Sequence, residues 1–74
     1  MVVSPSIYKA VVHKNPKHDP YLSTVAIVEA ATQWLIKHQA TEQLVNWYDN
    51  QSYVVFVLRD RTTAIQIKLA LLAC

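Results

Sequence analysis

Four residues of this chain carry the side chains that metal sites use: His13, His18, His38 and Asp19. Their spacing follows none of the paired ligand patterns of zinc or other metal sites, and His18 and Asp19 stand side by side in a loop-forming stretch. They read as scattered surface side chains, so no metal is expected. A nucleophile is no easier to find. Cys74 is the last residue of the sequence, whereas a reactive thiolate needs a held environment. Ser4, Ser6, Ser23 and Ser52 have no histidine at a recognisable spacing. The chain contains no glycine. Glycine lets backbone come close to a phosphate, so loops of the Walker or dinucleotide type are excluded. A chain this short leaves little room for a pocket of about 300 Å³ or more. The expectation is a protein that is not an enzyme, with no catalytic residues and no cofactor.

The elements that must position any site follow from pattern. Seventy-four residues make one domain, 1–74, of marginal stability, with no disulfide available to a lone cysteine. Hydrophobic residues make up 53% of the chain, and the net charge is +2. The opening residues, Met1 to Pro5, show no charged region leading into an apolar core. No secretory leader is expected, and the single cysteine favours a reducing cytoplasm. Glu29 and Lys68 break the uncharged runs well before about 18 residues, so no membrane span is expected.

Ile7 to His13 is β-branched and aromatic, lies between Pro5 and Pro16, and reads as a first strand. Tyr8, Ala10 and Val12 share one face of it; Ile7, Lys9, Val11 and His13 share the other. Asp19 before Pro20 is a helix start, and the helical period runs to about Gln39. Thr24, Ile27, Val28, Ala31, Trp34 and Leu35 form its stripe. Leu44 to Tyr48 reads as a second strand, Asp49 to Ser52 as a turn, and Tyr53 to Leu58 as the strongest strand. Asp60 then caps a second helix from Arg61 to about Ala73.

This β-α-β-β-α order predicts an α+β, two-layer fold. Its three-stranded antiparallel sheet has the order 2-3-1, with both helices on one face and Trp34, Ile27, Ala31, Phe56 and Ile67 buried. It is similar to a ferredoxin-like fold lacking the last strand. The enzyme activity such a topology suggests, that of acylphosphatases, needs a glycine-bearing phosphate loop that this chain lacks.

The third strand is apolar on both faces, and only one can lie under the helices. Tyr53, Val55 and Val57 are therefore expected on an uncovered patch. The second helix has a spare apolar stripe, Ile65, Leu69 and Leu72. These six are the candidate partner-binding residues. An unpaired edge on the first strand, taken with that stripe, predicts a homodimer. The alternative is a single-stranded nucleic-acid binder that stacks bases on sheet aromatics. Tyr48 would stack, and Lys9, Lys14 and Lys17 would meet phosphates.

The segment from Phe56 to Leu69, with Phe56, Asp60, Ala64 and Ile67-Lys68-Leu69 at matching positions, resembles the C-terminal part of small uncharacterised phage-encoded proteins. Those proteins end in an aromatic strand, an Asp cap and a helix with an apolar-Lys-Leu triplet; an aromatic usually follows, where Leu71-Leu72 stands here. The resemblance implies a phage accessory protein in the host cytoplasm that binds and modulates a host protein, as an inhibitor or an anti-defence factor.

Overall fold

The computed structural model describes residues 7–72. Ser4, Ser6 and Cys74, weighed above as nucleophiles, lie outside the described residues. Strand β1 (Tyr8–His13) leads through a loop to helix α1 (Pro20–Lys37). A 3₁₀ turn (Thr41–Gln43) opens strand β2 (Leu44–Asp49), which forms a hairpin with β3 (Tyr53–Leu58). Helix α2 (Arg61–Leu72) follows.

The helix ends are set by local chemistry. Asp19 Oδ1 accepts from the amides of Tyr21 and Leu22, at 2.8 and 3.2 Å, and Pro20 occupies the first turn, where its missing amide costs nothing. Asp60 Oδ2 accepts from the Thr63 amide and hydroxyl, at 2.9 and 2.7 Å. The far end of α1 closes on paired bonds, Gln39 N–H to Ile36 O at 3.1 Å and Ala40 N–H to Leu35 O at 2.8 Å. That closure needs a left-handed residue, a place usually taken by glycine. Gln39 fills it, with φ of 53°.

The sheet is antiparallel in the order β1-β3-β2. Its register pairs Ala10 with Phe56 and Val12 with Val54 on one side, and Trp47 with Phe56 and Tyr48 with Val55 on the other. Directly opposed residues share a face. Ala10, Val12, Val54, Phe56 and Leu58 thus meet Ala31 and Leu35 of α1 and Ala64, Ile67 and Leu71 of α2 in one core, with both helices on the same side. Among the described residues the other side of the sheet carries no helix.

Two of the five expected core residues sit differently. Ala31, Phe56 and Ile67 are buried, whereas Ile27 and Trp34 are only half-buried at the core margin. Trp34 instead lies against the His38 ring, with centroids 4.3 Å apart. Leu35, its neighbour in sequence, fills the position in the core. A helix turning 100° per residue brings only one of two adjacent large side chains fully inward.

Candidate functional site

The residues with chemical potential do not converge. His13 packs edge-on against Tyr53, with centroids 5.9 Å apart, His38 lies against Trp34, and Asp19 is occupied by its cap. Among the described residues no three His, Cys, Asp or Glu side chains form a group that could hold a metal ion.

The structure corrects the expectation that the chain has little room for a pocket. A cleft of about 650 Å³ opens between the β1–α1 loop, α1 and the end of α2. Val12, Leu22, Ile27 and Leu71 line it, and Lys17 and Asp19 stand on its rim. The two rim charges have opposite sign and lie close in sequence, so the cleft presents no field of one sign to a charged ligand.

The bare sheet face is less apolar than its sequence suggests. Val55 points to it yet is only 2% exposed, while Tyr53 and Val57 are half-buried. In the register, Val55 lies between Val11 and Tyr48, and Val57 lies between Lys9 and Asn46. Lys9 reaches from β1 across β3, placing its ammonium 6.0 Å from the Tyr48 ring centroid on β2. Its charge is placed toward an aromatic face two strands away, a reach open to lysine and not to a short side chain. Val55 is thereby corrected as a member of an open patch, while Tyr53 and Val57 keep part of their surface in water.

The same geometry divides the residues considered for nucleic acid. Tyr48 lies on the bare face with Lys9, as does Tyr53, whereas the other strand aromatics, Tyr8 and Trp47, pair with Leu58 and Phe56 on the helix side. Lys17 stands apart on the cleft rim. Lys14 is corrected outright. It is 8% exposed, and its ammonium donates to the Asn50 carbonyl and lies 3.4 Å from Asp49 Oδ2. An ammonium engaged inside the protein is not offered to a phosphate. Sequence gave no sign of this, because Lys14 looks like any loop lysine until the β2–β3 turn folds over it.

The α2 stripe is where expectation and exposure coincide. Ile65, Leu69 and Leu72 are 49%, 63% and 60% exposed along the outer side of the helix. Their spacing of four and three residues puts them in one row. Ile65 and Lys68 also border a groove against Tyr8 and Lys9, so the row runs down to the β1 edge. That edge has no partner strand among the described residues. The opposite edge differs, because β2 breaks its register between Leu44 and Asn46, bulging at Val45. Bulges are a common means of blunting an edge against further pairing.

Two carboxylates report how tightly the scaffold around these surfaces is held. The Thr24 hydroxyl, donating at 2.8 Å, is the main cause that lowers the Asp49 pKa below its ordinary 3.8; burial opposes it and Lys14 assists. Asp60 is lowered likewise, chiefly by the Thr63 hydroxyl and then its amide. A carboxylate lowered in the folded state stabilises the fold above its unfolded pKa, and the contribution is lost as pH falls through the lower folded value. Melting temperature is therefore expected to fall as pH drops from about 5 downward. Replacing both groups, Asp49→Asn with Asp60→Asn, should flatten that fall; an unchanged pH profile in the double variant would refute the assignment.

No helix among the described residues is long and apolar enough to cross a membrane. Comparison with protein-family models, with curated proteins and with solved structures finds no match to this chain.

Proposed function

We propose that this chain is a small non-enzymatic protein-binding module, a phage accessory protein that binds and modulates a host protein in the host cytoplasm. The row Ile65, Leu69 and Leu72 supports this reading most directly. Three large apolar side chains standing in water contribute little to the fold. Removed from water by a partner, they gain about 25 cal/mol for each Å² covered. Spacing i, i+4, i+7 on one helix is the way a helix docks into an apolar groove. Arg61 and Lys68 are the charged side chains of α2, and no acidic residue lies on it. The fitting partner has an apolar groove with an acidic rim.

A nucleic-acid reading gains less support, because only Lys9 and Tyr48 of its four residues share a face and Lys14 is engaged internally.

The test compares capture of a host protein by tagged wild-type chain, by Leu69→Asp and by Val25→Asp. Val25 is 45% exposed on α1 and serves as the control. A charge in the centre of the row should weaken capture on the order of a hundredfold, as loss of a buried hot-spot side chain does. Val25→Asp should leave capture unchanged. Equal capture of the same protein by Leu69→Asp would overturn the assignment of the surface.

A further inference from the structure

We infer that β1 pairs with β1 of a second copy, across a two-fold axis at Val11, to form a continuous six-stranded sheet. The ladder itself indicates the register. Lys14 N–H donates to Ser52 O at 2.8 Å, continuing the β1–β3 register by one pair beyond His13 and Tyr53. Hydrogen-bonded and non-hydrogen-bonded pairs alternate along an antiparallel ladder. Val12, Ala10 and Tyr8 therefore bond to β3, and Lys9, Val11 and His13 turn their backbone N–H and C=O outward. On the other flank Asn50 N–H donates to Tyr53 O at 3.0 Å, so β3 alternates in the complementary sense.

Three outward residues at every second position form a self-complementary edge. With the axis at Val11, Val11 opposes its own copy and Lys9 opposes His13 of the second copy. This register pairs all three outward residues of β1 with one another. An axis at Ala10 would set Lys9 against Val11 and leave His13 beyond the strand. An axis at Lys9 would put two lysines face to face, which is unfavourable. The Val11 axis also keeps residues of one parity on one face, so both pairs of helices stay on the same side of the joined sheet.

The rest of the molecule fits this arrangement. Joining the β1 edges leaves only the two bulged β2 edges at the margins of the sheet. The α2 helices come to flank the axis, beside the Tyr8–Ile65 groove. Arg61 and Lys68 line the same groove and repel their counterparts, so the pair should tighten as salt rises. Two-fold pairing also supplies stability that a core of this size lacks. The pairing stands on the β1 edge; the host contact, tested by Leu69→Asp, succeeds or fails separately.

Sedimentation equilibrium of the full chain, over a series reaching high micromolar concentration, is expected to show a monomer–dimer equilibrium. Val11→Lys and Val11→Glu each set like charges across the axis and should weaken self-association by about tenfold or more. An equimolar mixture of the two should restore the dimer, with lysine facing glutamate. In wild type the amides of Lys9, Val11 and His13 should gain protection from hydrogen exchange as concentration rises, a measurement that does not depend on either variant folding. A wild-type monomer throughout the series would overturn the inference, as would folded variants whose mixture stays monomeric.

Discussion

Phe56→Ala is expected to remove a large share of the protein's folding stability. Phe56 is 1% exposed at the centre of the central strand, with Ala10 on one side and Trp47 on the other. Its ring lies in the core shared by both helices. Removing a buried phenylalanine ring costs about 3–5 kcal/mol, part of it transfer and part the cavity left behind. A chain of this length has about 4–11 kcal/mol in total, from about 0.05–0.15 kcal/mol per residue. Trp34→Ala provides the internal comparison. Although tryptophan is the larger side chain, its half-buried place against His38 should hold the loss to about 1–2 kcal/mol. Urea unfolding followed by circular dichroism gives both numbers. Trp34→Ala proving the more damaging would mean that the core is centred on α1 rather than on β3.

The contrast between these residues shows how far the sequence can be read. The caps were legible, because Asp19-Pro20 and Asp60 act on amides two or three residues away and need nothing distant. The two faces of β3 were legible for the same reason, since strand parity is local. Strand order followed from the β-α-β-β-α succession and its likeness to a ferredoxin-like arrangement. What sequence could not supply was the depth at which each side chain sits. Trp34 and Leu35 carry the same periodic signal, yet only Leu35 lies beneath both layers. Val55 looked like part of an open patch because strand parity tells which face a side chain takes and nothing of how far its neighbours on the flanking strands cover it. The α2 row was correctly read as exposed because a helix with one face in the core must turn its opposite face outward. The cleft beside Leu71 had no local signature, since its walls come from three separate segments.

Lys14→Met is expected to destabilise the fold by about 1.5–3 kcal/mol, the range for hydrogen bonds to a charged group. Methionine keeps the apolar stem and removes only the ammonium, so the loss isolates the charge. The Lys14 side chain is 3% exposed and that of Asp49 is 41%, so the cation bears most of the burial and the carboxylate keeps part of its water. The ammonium joins three segments: the end of β1, the end of β2 and the turn between β2 and β3, whose carbonyl at Asn50 it meets. Without it, that carbonyl loses its lysine donor, and Asp49 keeps the Thr24 hydroxyl as its side-chain donor. The loss should be local in its dynamic effect as well. Amides of the hairpin turn, including those of Ser52 and Tyr53, which bond to the Asn50 side chain, should exchange faster than those of α2. The acid dependence should change in a defined sense, because Lys14 is one of the groups that keep Asp49 ionised. The acid-driven loss should then be smaller than in the wild type and should end at a higher pH, the folded pKa of Asp49 having moved toward its ordinary value while its unfolded value is unchanged. A Lys14→Met variant as stable as the wild type, with an unchanged acid profile, would show that the ammonium is no more than a solvated charge, and Lys14 would return to the set of cations available to an external anion.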